Sequence, residues 1–160
     1  MTSLPEPIAH LQPLLGTWRG EGHGEYPTIA SFDYVDEWEF VAPPGKPFIR
    51  FVERTWDADG QPKHTEMGYL RCPSPELIEI VAAIPTGQAE NGSGSVTVDD
   101  GLTIATDAIV LNTESAKRVD RIVRRFEVNG DELTYGMEMA AVGQPLTLHL
   151  RATLRRVSTD

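Results

Sequence analysis

Between Gly16 and Ile29 the chain reads GTWRGEGHGEYPTI, with glycines at 16, 20, 22 and 24 around Trp18. Each glycine disfavours a helix by about 1 kcal/mol relative to alanine, so four of them in so short a stretch argue against one. A strand, in contrast, uses glycine where it bends sharply or where another backbone or a ligand comes close. The stretch therefore reads as the first strand of a curved sheet. A curved sheet that closes encloses an interior, and interiors hold ligands.

The rest of the chain repeats strand and turn. Residues 7–15, PIAHLQPLL, read as a short helix or turn, kept short by Pro13. Thr28 to Val41 is aromatic and β-branched and ends at Pro43-Pro44-Gly45. Phe48–Trp56, Lys63–Cys72 and Leu77–Ile84 follow as strands, the last with Ile78, Ile80, Ala82 and Ile84 on one face. Thr86–Glu90 and Gly94–Val98 read as two short strands around an Asn91-Gly92 hairpin turn. Leu102–Leu111, Val119–Val128, Glu132–Val142 and Leu146–Val157 complete the pattern, the middle pair flanking Asn129-Gly130-Asp131. About ten or eleven strands at this spacing, with no long helical segment, give an all-β antiparallel meander. A meander of this length protects its edges best by closing into a barrel. Phe48 to Arg54 mixes polar residues into both faces, which suggests a mixed lumen. The 160 residues are taken as one domain.

The net charge is −10, from 24 acidic and 14 basic residues. A nucleic-acid binder needs a basic surface, and the run Arg118, Arg121, Arg124 and Arg125 is interrupted by Asp120 and apolar residues. No apolar run approaches the roughly 20 residues of a membrane span, so no membrane partner is expected. The first residues carry no basic and apolar leader. A lone cysteine, Cys72, suits a reducing cytoplasm.

Gly20, Gly22 and Gly24 form GxGxG, but a dinucleotide fingerprint needs a helix directly after it, and Tyr26-Pro27-Thr28-Ile29 reads as strand. There is no GxSxG elbow, and no pair of the four histidines has the spacing of a local zinc site. Glu37, Glu39, Glu53 and Asp57 read as a solvated sheet face. His10 is placed on the surface. His149 poses a question of parity. Leu146, Leu148, Leu150, Ala152 and Leu154 share one face of its strand; Thr147, His149, Arg151, Thr153 and Arg155 share the other. Either the leucines line the interior and His149 points to solvent, or His149 points inward and the leucines are covered from outside by Ile8, Leu11, Leu14 and Leu15. Periodicity does not choose. Trp18, Trp38 and Trp56 admit either a pocket lining or an apolar face for a homodimer.

Three motifs carry a resemblance. GTWRGEGHGEYPTI, HTEMGYLR and GQPLTLHL resemble the nitrobindins in order and spacing, from about Leu14 to Val157. The specific parts are the GxWxGxG core (Gly16, Trp18, Gly20, Gly22) with its YPTI tail, and the terminal PLxxHL. The resemblance implies a lipocalin- or fatty-acid-binding-protein-like barrel holding haem b at its mouth, with His149 as axial ligand of the iron. Thr28 is implied to lie against the haem, Lys117 near it, and His64 on the opposite side of the pocket. The implied activity is isomerisation of peroxynitrite to nitrate together with binding of nitric oxide. Cys72, Tyr135, Met137 and Met139 are chemically able to ligate iron but lie in no such motif, and His23 and Thr28 are candidates for the distal side. The contrasting hypothesis is a non-catalytic carrier of an apolar small molecule on the same barrel, which gives no reason for His149 in its motif.

Overall fold

Ten strands close into one antiparallel barrel in the computed structural model, which describes residues 3–157. They run β1 Gly16–Tyr26, β2 Ile29–Val41, β3 Ile49–Trp56, β4 Pro62–Ser74, β5 Leu77–Ile84, β6 Gln88–Val98, β7 Leu102–Asn112, β8 Val119–Asn129, β9 Glu132–Ala141 and β10 Thr147–Arg156. Each pairs with its sequence neighbours, and β1 also pairs with β10 to leave no edge. The N-terminal segment forms a 3-10 helix over Glu6–Leu14. Among the described residues no helix is long and apolar enough to cross a membrane.

The interior is built in three layers. The helix plugs one end with Ile8, Leu11 and Leu14, all fully buried. Trp18 donates its indole N–H to the Leu14 carbonyl at 2.8 Å, tying plug to wall, while the Arg156 guanidinium lies over the Trp18 ring, 4.1 Å from its centroid. Above the plug, Trp38, Phe40, Phe51 and Phe126 pack ring on ring. A buried polar layer follows, and a cavity opens at the far end.

The structure corrects several expectations. Thr86–Glu90 and Gly94–Val98 are not a hairpin around Asn91-Gly92 but one continuous strand, β6, paired along its length with β5 and β7. Gly92 and Gly94 are there because β7 runs too close for a Cβ: an added one would overlap Ala108 and the Ala105 carbonyl. Pro27-Thr28 is not strand; it is the turn that lets Tyr26 pair with Ile29. None of the three tryptophans lines the cavity. Trp18 and Trp38 are core, and Trp56 packs outside under Arg19 at 4.5 Å. His10, expected on the surface, is half-buried in the helix. The helix does not cover the outer face of β10 either, because it closes the barrel end.

The glycines of β1 make room for neighbours in the protein itself. A Cβ at Gly22 would overlap the Tyr34 ring, and one at Gly24 the Phe32 ring, each the residue directly across in β2. These aromatic rings lie over bare backbone. At Gly20 the obstruction is the Thr153 carbonyl of β10, which belongs to the closing seam. Backbone yields less readily than a side chain. We therefore expect Gly20→Ala to lower stability by about 2–3 kcal/mol and Gly22→Ala by about 1–2 kcal/mol, both as overpacking, read as the shift of the urea midpoint at constant m-value.

Candidate functional site

The parity question at His149 is resolved by a β-bulge. Along β10, Leu148 faces Glu138 and Leu150 faces Met137, so two consecutive residues of β9 oppose three of β10 and His149 is the extra one. One added residue flips the faces. Leu150, Ala152 and Leu154 therefore point inward on one side of the bulge while His149 points inward at it; Leu148 turns out to solvent.

His149 projects into a cavity of about 880 Å³ at the open end of the barrel. That volume suits a small organic ligand or cofactor. Ile84, Val119, Ile122, Met137, Met139 and Leu150 supply much of an apolar wall. The imidazole is held from three sides. Its Nδ1 donates to the Glu25 carbonyl at 3.0 Å, Tyr26 meets it edge-on at 5.3 Å, and Phe32 lies at 6.4 Å. Tyr26 is itself fixed to β9, accepting from the Ala141 N–H at 2.9 Å and donating to the Met139 carbonyl at 3.0 Å. Burial lowers His149 below the ordinary imidazole range, against the pull of the Glu25 carbonyl and with a contribution from His64. A neutral ring whose Nδ1–H is committed to a carbonyl leaves Nε2 with a free lone pair.

The other expected site residues divide. Thr28, in the β1–β2 turn, and Lys117, between β7 and β8, line the rim of the same cavity as His149, and His64 lines it from β4. The Gln88 amide donates to the Lys117 carbonyl at 2.8 Å and anchors the β7–β8 loop to β6. Gly16, Trp18, Gly20 and Gly22 form wall and plug and do not line the cavity. His23 is on the outer face, 2.8 Å from Asp33, so it has no distal role. Of the other possible ligands, Met137 and Met139 line the cavity, whereas Cys72 and Tyr135 do not. Burial pushes the Cys72 thiol up to about 11.

Beneath the cavity lies a layer that periodic reading treated differently. Glu53, expected on a solvated face, is 1% exposed, and Asp36, Glu66, Glu90 and Arg124 are equally enclosed. Arg124 donates to Glu90 through Nε and Nη2, the shorter contact 2.7 Å, and to the Tyr135 hydroxyl at 2.8 Å, and its Nη1 lies 2.6 Å from Glu66. Burial works to raise Glu66, but Arg124 and His64 hold its carboxyl down at about 2. His64 Nε2 lies 3.1 Å from Glu66 Oε2, and a carboxylate only accepts, so Nε2 carries the proton and Nδ1 is left over. The signal for this layer was present in the sequence. Arg124 shares its parity with Ile122, Phe126 and Val128, and Glu53 with Ile49 and Phe51, all core residues.

Known proteins give a consistent comparison. The family model for the THAP4-like, heme-binding beta-barrel domain matches residues 7–156. A peroxynitrite isomerase of Nocardia farcinica is 52% identical over 152 residues, covering 93% of this chain and 90% of that protein. Peroxynitrite isomerase 1 of Mycolicibacterium paratuberculosis is 48% identical over 97% of this chain and 98% of its own length. The crystal structure of Rv2717c from M. tuberculosis superposes with a TM-score of 0.93 at 40% identity, covering 97% of this chain and 99% of that one. The chain belongs to the THAP4-like, heme-binding β-barrel family, the nitrobindins that its motifs resemble.

Proposed function

We propose that this protein is a haem b-dependent peroxynitrite isomerase that also binds nitric oxide reversibly, acting as a single barrel unit in the cytoplasm, with His149 as the axial ligand. The observation that carries the reading is the bulged His149, with Nδ1 donating to Glu25 and Nε2 free toward an apolar cavity of about 880 Å³. Its relatives named as peroxynitrite isomerases support the chemistry.

The residues present fit haem. Its porphyrin needs an apolar slot, which Ile84, Val119 and Leu150 help to supply, and its propionates need cations at a wet rim, where Lys117 and Arg118 stand. When bound, haem would supply an iron centre able to take an oxygen ligand and the redox capacity to rearrange it. The protein's part is to hold and to exclude. His149 is pinned in one tautomer by Glu25, and Tyr26 and Phe32 stop the ring from rotating. Thr28 closes the rim beside it, and His64, turned by Glu66, offers a polar edge on the cavity wall.

Hemin titration tests the reading. The wild-type protein is expected to take up one equivalent with the absorption of histidine-ligated ferric haem, and His149→Ala to weaken uptake by at least about tenfold. Loaded protein should speed peroxynitrite decay and raise the nitrate yield. Uptake of a fatty acid in place of hemin would establish the carrier instead; haem binding with unchanged peroxynitrite decay would leave a nitric oxide carrier.

Because burial holds the His149 pKa below its unfolded value, a proton binds the unfolded chain more readily than the folded one. The neutral ring's full contribution is present above about pH 6.5 and is lost as pH falls toward the lowered value. Hemin uptake should accordingly be level between about pH 7 and 8 and decline in acid.

At the rim, Lys117→Glu should raise the haem dissociation rate by about two- to fivefold, an effect that shrinks with added salt. Haem transfer to an excess of a stronger haem acceptor measures it.

We also infer a homodimer through the outer face of β4, β5 and β7. Tyr69, Val81 and Ile109 fall in one cross-strand row, with Asn91 of β6 between Val81 and Ile109, Met67 and Leu111 lie beside them, and these five apolar residues are about half exposed or more. Sedimentation should give a dimer that Ile109→Lys converts to monomer.

A further inference from the structure

Among the described residues, four buried carboxyl groups, Asp36, Glu53, Glu66 and Glu90, share one buried cation, Arg124. Arg124 is engaged by Glu90, Glu66 and the Tyr135 hydroxyl. Asp36 and Glu53 are left to each other. Their carboxyl groups are neighbours inside the barrel, and Asp36 Oδ2 accepts from the Trp38 indole at 3.2 Å. Asp36 Oδ1 and Glu53 Oε1 have no partner. Two ionised carboxylates in contact inside a barrel are not sustainable, because a buried unpaired charge neutralises by taking up a proton. One side of this pair faces the ligand space: Glu53 lines the cavity and Asp36 does not. One carboxyl oxygen each of Glu53 and Glu66 and a ring nitrogen of His64 lie within 4.8 Å of one another, so Glu53 opens onto the same corner as His64.

We propose that Glu53 is a neutral carboxylic acid in the cavity floor, backed by Asp36, and that it donates its proton as a hydrogen bond to an anion bound in the cavity. It is thereby a specificity-determining residue for small anions, and in this half the proposal rests on the haem reading above. No bond to carbon, oxygen or nitrogen changes; the proton stays on Glu53. The charged and titratable groups around it are Tyr34 and Asp36 from β2, His64 and Glu66 from β4, Arg124 from β8 and Tyr135 from β9. Burial, Glu66 and Asp36 together raise Glu53 well above the usual carboxylate range, outweighing Arg124. Burial pushes Asp36 up to about 7, while Glu53 and Trp38 oppose the rise. Below that pH the pair holds two protons: Asp36 donates to Glu53, and the Glu53 O–H is free for the cavity. Above it one proton remains between the two, the floor is anionic, and anions are repelled. Anion affinity therefore falls as pH rises through neutrality.

Two measurements separate this proposal from the haem reading. Infrared spectra of the haem-free protein, titrated between about pH 5 and 9, should show a protonated carboxyl band that persists above the pair's midpoint, shifts in D₂O and is lost above that midpoint in Glu53→Gln. Its absence from the wild-type protein at neutral pH overturns the proposal whatever the fate of haem. Fluoride binding to the haem-loaded protein, followed by absorption, should weaken by about tenfold per pH unit above the pair's midpoint. Glu53→Gln keeps a donor that cannot ionise, and should flatten this dependence; should that variant not fold, Asp36→Asn serves in both measurements, because it removes the second titration. A slope unchanged by either variant overturns the proposal, and failure of hemin uptake overturns its anion-binding half while the infrared result stands alone.

Discussion

One surplus residue in β10 decides what this barrel can hold. Strand parity is rigid: inward residues alternate with outward ones, and the leucine face of β10 belongs to the core. Without the bulge, β10 would bury its leucines and turn His149 to solvent. With it, Leu150, Ala152 and Leu154 stay in the core and the imidazole still reaches the cavity. The bulge sits near the open end, where the ladder can be interrupted without loosening the plugged end.

The three interior layers divide the work. The plugged end, with Trp18, Trp38, Phe40, Phe51 and Phe126 fully or almost fully buried, carries the apolar burial that stabilises the fold. The open end gives up packing to leave a cavity. Between them, Arg124 neutralises part of a carboxylate layer that would otherwise be prohibitive. Replacing such a network with apolar residues is often neutral or stabilising in other proteins, so its presence is weak evidence of a stabilising role. Its position, directly under the ligand space and joined to His64 through Glu66, is the stronger argument that it serves the site.

The fold was legible because a closed meander leaves local marks: turn residues at regular intervals and alternating strands such as Leu77–Ile84 and Leu102–Asn112. What misled was chemistry with two uses. Asn91-Gly92 has the composition of a hairpin turn, yet Gly92 is needed for close approach to β7. Tyr26-Pro27-Thr28-Ile29 looks like strand, yet pairing of Tyr26 with Ile29 leaves only two residues for the turn. The cavity residues Thr28, Lys117, His64 and His149 came from motif resemblance, since they sit on elements far apart in the chain. The carboxylate layer was missed because a charged residue at a core parity looks like a register error until a partner is seen. Glu90 and Arg124 are 34 positions apart, and no local pattern joins them.

The site and the closure of the barrel are a single problem. The β1–β10 ladder runs from Trp18 opposite Arg156 to Gly24 opposite Leu150. The next step would set Glu25 opposite His149, and there the bulge withdraws the His149 backbone from the ladder. The Glu25 carbonyl does not go unpaired: it accepts from the imidazole Nδ1 instead. A side chain thus completes the seam that joins the two ends of the barrel, and the same bond fixes the tautomer that leaves Nε2 free. Orientation of the ligand therefore depends on the seam being closed. Two glycines of β1 support this arrangement from different sides: Gly20 lets β10 approach at the seam, and Gly24 leaves room for the Phe32 ring of β2, which reaches His149. The glycine-rich strand serves the site by setting the position of His149, with no contact of its Gly20 or Gly22 with the cavity.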